Sequence, residues 1–135
     1  MVTIKEIIIK EKDELNNLLK LLEKQHAMVI AKDVFGLEAL VDEIKAANKS
    51  VASIEMERRK IVGTKSMSLL VKESEDEEID KEFRNIKKLL EAIKLQKETN
   101  ELLIRQRMSY NNQILNIINP SREVKTYNSY GNLKR

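Results

Sequence analysis

The first apolar stripe of the chain runs Ile4, Ile8, Leu15, Leu18, Leu22 and Val29, in steps of three, four or seven residues. An α-helix turns once in 3.6 residues, so these side chains share one face. The spacing predicts a helix over about residues 3–31, on the order of 40 Å long, with an apolar face that needs a partner. Asp33 is placed to cap a second helix with its carboxylate, and Leu37, Leu40, Val41, Ile44, Ala47, Val51, Ile54 and Ile61 carry the same spacing on to Val62. A connection this short forces an antiparallel hairpin.

A third stripe, Ile79, Phe83, Ile86, Leu90 and Ile93, then Ile104, Met108, Leu115 and Ile118, follows the acidic run "KESEDEE". Carboxylates suit a helix start, where the free N–H groups and the backbone dipole favour negative charge. Asn119 precedes Pro120, a pairing that disfavours helical geometry at Asn119, so this helix should end near Ile118 after about 40 residues, or roughly 60 Å. Its stripe is interrupted at Lys97 and Asn100, where a polar group facing another helix needs a hydrogen bond or leaves the packing partly open. Between the second and third helices, "TKSMSLLVKES" has room for one short amphipathic helix through Met67, Leu69 and Leu70. The expected fold is therefore all-α: an elongated antiparallel bundle of three long helices, with a possible short extra helix between helices two and three. Residues 1–118 form the helical domain, and residues 119–135 form a flexible C-terminal tail. Solution scattering of such a bundle should give a radius of gyration well above the roughly 14 Å of a compact domain of this length. A compact value would end the three-helix reading.

Composition narrows the function. At 135 residues the chain is long enough for one domain that buries about two thirds of its unfolded surface. It has no cysteine, which removes disulfides and thiolate metal sites, and its charged N-terminus and short apolar runs point to neither membrane insertion nor Sec export. The net charge of +3 lies wholly in the tail, where Arg122, Lys125, Lys134 and Arg135 face only Glu123. The neutral body resembles solvated helix faces rather than the basic stripe of a nucleic-acid binder.

Catalytic chemistry is not visible. There is no nucleophile with a base, no metal cage and no glycine-rich phosphate loop, so the sequence indicates neither an enzyme nor a cofactor. His26, the lone histidine, falls on the flank of the first stripe, and the run Glu75 to Glu78 lacks the alternating ligands and turn glycine of a calcium loop. Met28, Met56, Met67 and Met108 sit at or near core spacing, although methionine also lines adaptable grooves. One feature exceeds what a single stripe needs: a second apolar row, Leu103, Tyr110, Ile114 and Ile117, beside Ile104, Met108, Leu115 and Ile118. Either the core widens at this end, or the row lines a groove that receives an amphipathic helix from a partner.

The tail raises a second question. Tyr127 and Tyr130 are two of only five aromatic residues, and they sit in "KTYNSYGNLKR", a segment too polar to bury a core of its own. A mobile tyrosine is an efficient anchor for a short docking motif, since it brings a large ring at small rotamer cost. Alternatively one ring folds back on the bundle as a lid.

The order of these features resembles the FlgN-like family of flagellar export chaperones over nearly the whole chain. The pieces that carry the resemblance are the paired leucines Leu18, Leu19, Leu21 and Leu22, the "KDVFGLEALV" turn, Glu57-Arg58, "NELL" at Asn100 to Leu103, and the tyrosine-glycine tail. The family tail reads Tyr-Gly, two variable residues, then Gly. Here "TYNSYG" fits with Tyr127 as the tyrosine, Gly131 as the second glycine and Asn128, which tolerates a left-handed backbone, in the first glycine's place; the register with Tyr130-Gly131 as the pair stays open. The resemblance implies a cytoplasmic, non-enzymatic chaperone that binds the C-terminal helices of hook-filament junction proteins and delivers them to the flagellar type III export gate. It favours the groove reading of Leu103, Tyr110, Ile114 and Ile117, and it assigns Tyr127, Tyr130 and Gly131 to docking on the gate. A chaperone for another flagellar or virulence secretion substrate, and a structural coiled-coil scaffold, are the alternatives.

Overall fold

The computed structural model describes residues 3–108 and 112–118. Among them are five helices and no strand: α1 (Ile4–Ile30), α2 (Val34–Val62), α3 (Met67–Ser74), α4 (Glu77–Arg107) and α5 (Asn112–Ile118). No described helix is long and apolar enough to cross a membrane. The expected short helix is α3, while the expected single helix from about Ile79 to Ile118 is divided into α4 and α5.

The boundaries follow from local chemistry. Asp33 caps α2 as expected, accepting from the Gly36 N–H at 2.9 Å. A Cβ on Gly36 would meet the Asp33 carboxylate at 2.3 Å, so a larger residue there would push the capping side chain aside. Gly63, at φ +66°, ends α2 in the left-handed conformation that favours glycine. Ser66 caps α3 by accepting from the Leu69 N–H at 3.2 Å. Asp76 accepts from the Glu78 N–H at 2.9 Å and opens α4, with Glu77, Glu78 and Asp80 in the first turn, where the dipole favours them.

Packing divides the chain into two compact units, Met1–Lys20 with Ala47–Leu95, and Leu21–Ala46 with Gln96–Arg135. In the first unit Ile7, Ile8, Leu15, Leu18, Ala47, Ile54, Val71, Ile79, Ile86 and Ile93 are buried. Most of the expected stripes are thus inside, but Ile61, Leu90 and Met56 are exposed, against expectation. For Leu90, neighbouring Leu89 is half-buried instead, so the buried line on α4 passes one position earlier. Lys5 pairs with Glu78 at 3.2 Å and Lys12 with Glu82, so α1 and α4 run in the same direction here. The Lys12 hydrogen bond holds Glu82 below the usual carboxylate range, and the same bond holds Lys12 above its ordinary value. Glu82 therefore contributes stability that is lost as pH falls through its depressed value, and Lys12 contributes stability that is lost as pH rises through its elevated one.

The buried charge of this unit is Glu11, 5 % exposed, whose Oε1 lies 3.4 Å from Arg58 Nε. The contact is an ion pair without hydrogen-bond alignment, because that buried Nε has no hydrogen-bond partner among the described residues. Burial pushes Glu11 above the ordinary carboxylate range, Arg58 pulls it down and Glu55 adds to the rise. A carboxylate with a raised folded-state pKa favours the folded state at low pH, and that contribution is lost as pH rises through the folded value. Arg58→Leu should then cost about 3 kcal/mol at neutral pH, because it leaves the Glu11 carboxylate buried alone. Part of the loss should return on acidification, and most of it in the double variant Glu11→Leu, Arg58→Leu. Urea unfolding of the two variants across pH measures this, and a double variant weaker than the single would contradict it.

Candidate functional site

In the second unit, the end of α1 and the start of α2 meet the end of α4. Val29, Leu37 and Ile104 are at most 1 % exposed and form one apolar cluster with Ile114 and Ile117 of α5. Met28, Val34, Val41, Leu103, Met108 and Ile118 pack around it. Ile104 lies at the level of Val29, the residue before the last of α1, so α4 reaches the α1–α2 turn just as its own regular helix ends. Ile114 and Ile117 of α5 lie on the cluster, at 3 % and 2 % exposed.

The buried face of α5 differs from the one the sequence predicts. The row expected to lie beside the stripe, Ile114 and Ile117, is the buried one, whereas Leu115 and Ile118 of the expected stripe are half-buried. Of the four residues predicted to line an open groove, the structure brings Leu103, Ile114 and Ile117 together. It places Ile114 and Ile117 inside the core of this unit, with Leu103 at its edge. In this arrangement they form a wider core and not an open groove. Tyr110, and the predicted docking residues Tyr127, Tyr130 and Gly131, lie outside the described residues.

Beneath the cluster sits a polar layer. Asn100, 1 % exposed, donates through Nδ2 to the Leu22 carbonyl at 2.7 Å and to Gln25 Oε1 at 2.9 Å, and its Oδ1 accepts from Gln96 Nε2 at 2.9 Å. Gln96 Nε2 is also 3.1 Å from His26 Nδ1, which gives the lone histidine a structural partner on the bundle flank. The interruption expected at Asn100 is thus closed by hydrogen bonds, while Lys97 points to solvent. Replacing Asn100 by Leu keeps the forked shape, with some added bulk, and strands Gln25, itself 6 % exposed, so about 1–3 kcal/mol of stability should be lost. An unchanged urea midpoint would show that the layer contributes nothing.

Gln25 and Gln96 were not legible as partners, because glutamine on a helix flank is ordinarily solvated. Neither were the exposed apolar residues Ile30, Phe35 and Leu102, of which Phe35 is 84 % exposed at the start of α2. Met28 and Met108 pack on the cluster as expected. The arrangement presents apolar helix surface and polar register, with no convergent nucleophile or base. The described residues contain no group of three histidine, cysteine, aspartate or glutamate side chains able to hold a metal ion. A shallow cleft in the first unit, about 420 Å³ and bordered by Lys12, Asn16, Asn85, Lys88, Leu89 and Ala92, is open to solvent and gathers no such chemistry either.

The family model described as "FlgN protein" matches residues 1–135. No curated protein and no solved structure matches the chain.

Proposed function

The chain belongs to the FlgN family of flagellar chaperones, and from that premise we propose that it is a cytoplasmic export chaperone for the hook-filament junction proteins. It binds their C-terminal amphipathic helices, prevents premature assembly, and delivers them to the flagellar type III export gate. The single observation that carries this reading is the family match over the whole chain. The geometry supports it at one place. The apolar cluster of the second unit takes up a short amphipathic helix, α5, so its surface is chemically suited to a client helix.

Client binding falls to Leu103, Tyr110, Ile114 and Ile117, together with the cluster on which Ile114 and Ile117 rest. Apolar burial drives the association. Gate docking falls to Tyr127 first and Tyr130 second, with Gly131 shaping the turn and the basic tail residues aiding encounter. The chemistry is binding alone, with no cofactor, nucleic acid or membrane insertion required.

An affinity pulldown from the native cell extract, with the whole chain as bait, tests the assignment. A hook-filament junction protein should be the first client recovered. Recovery of a filament subunit or cap protein instead would keep the chaperone and overturn the client. A self-associated chain without client would favour a scaffold.

A further inference from the structure

Helix α5 differs from the other described helices in ways that bear on how a client is admitted. It has seven residues, and a helix this short is not stable alone in water, so its helical state depends on its seat. Its sequence, Asn-Gln-Ile-Leu-Asn-Ile-Ile, carries no charge, and its Ile114 and Ile117 are spaced as one apolar row. The seat is made by three separate helix ends, through Val29 of α1, Leu37 of α2 and Ile104 of α4. Two methionines, Met28 and Met108, border it, and these unbranched side chains repack readily around a different occupant. At the rim, Gln113 donates to the carboxylate of Glu38, and both residues are exposed. The sequence from Glu101 to Ile118 contains no glycine or proline and repeats its apolar residues at helical spacing, so it is equally compatible with a longer α4.

Resting on the chaperone reading above, we propose that the seat formed by Val29, Leu37 and Ile104 is the binding site for the client's amphipathic helix, and that α5 occupies it as an internal stand-in until the client displaces it. The seated α5 defines the chemistry of the occupant: a helix with an uncharged row of branched aliphatic side chains at spacings of three and four. When α5 leaves the seat and extends α4, Leu103, Tyr110, Ile114 and Ile117 fall on one helical face, available to the same client. The empty chaperone thereby keeps its stickiest residues covered, and client affinity is reduced by the fraction of molecules in which α5 is seated.

The test holds α5 in place. The natural chain has no cysteine, so Glu38→Cys and Gln113→Cys can be joined specifically by a short, reductant-cleavable bismaleimide. Binding of a synthetic peptide of a junction protein's C-terminal helix is then measured on the bridged and cleaved full-length chain. The bridged form should bind about tenfold or more weakly, and cleavage should restore the affinity of the parent. Equal binding before and after cleavage would overturn the stand-in. Amide exchange on the same proteins, without peptide, gives a second reading. The α5 amides should exchange far faster than those of α4 around Asn100, and slow on bridging. Equally slow exchange in the unbridged parent would make α5 a fixed part of the core and overturn the proposal. If neither the parent nor the cleaved form binds any junction peptide, it is the assigned function that fails, and the exchange data still decide the stand-in.

Discussion

Replacing Ile114 and Ile117 together by aspartate is expected to abolish client binding while leaving the chain largely helical. Both side chains are almost fully buried against Val29, Leu37 and Ile104. An unpaired carboxylate in that surrounding is too costly to keep, so α5 must leave its seat. The helix lost is at most the seven residues of α5, because α1, α2 and α4 retain the rest of their packing. On the client side, two isoleucines worth about 1.5–3 kcal/mol each are withdrawn from the contact face, a loss of more than about 100-fold in affinity that outweighs the roughly tenfold gain from uncovering the seat. Circular dichroism and calorimetric titration with the client helix check the two halves. A variant that unfolds outright would assign these residues to the core alone and place the client face elsewhere. Undiminished binding would remove the row and leave only the seat.

Replacing Tyr127 and Tyr130 by alanine is expected to separate delivery from binding. Client affinity should stay near the parent value, because the proposed client face of Leu103, Tyr110, Ile114 and Ile117 does not include the tail tyrosines. Capture by the soluble domain of the export gate should fall sharply, and export of the junction proteins with it. The physical basis is that each ring supplies a large apolar surface with a hydroxyl handle, while the rest of the tail offers mainly small polar groups and positive charge. The charge alone would sustain a loose, salt-sensitive encounter, so residual capture should vanish at high ionic strength. Single variants rank the two anchors, with Tyr127→Ala expected to cost more. Equal gate capture by the double variant and the parent, measured with client present, would rule out this role for the tail.

The helical periods were legible because burial on one face imposes them: Leu15, Leu22, Leu37, Leu40 and Ile104 lie inside as the spacing requires. Caps at Asp33 and Ser66 are local chemistry and follow from neighbouring residues. What spacing could not convey is where helices stand relative to one another. The end of α4 was read as continuous because nothing between Glu101 and Ile118 breaks a helix. Regular α4 ends at Arg107, close to where Ile104 meets Val29 and Leu37 near the end of the α1–α2 hairpin, and Ile114 and Ile117 of α5 are buried on the same cluster. The same lack of relative placement hid the Glu11–Arg58 pair and the partners of Asn100, which lie far apart in sequence.

The proposed function rests on recognition of the C-terminal helix of a hook-filament junction protein by this chain. Its most direct test is a calorimetric titration of the full chain with an intact junction protein and with the same protein lacking only that helix. Saturable binding to the intact protein, and none to the shortened one, is the expected result. Equal binding of both, or of neither, would contradict it.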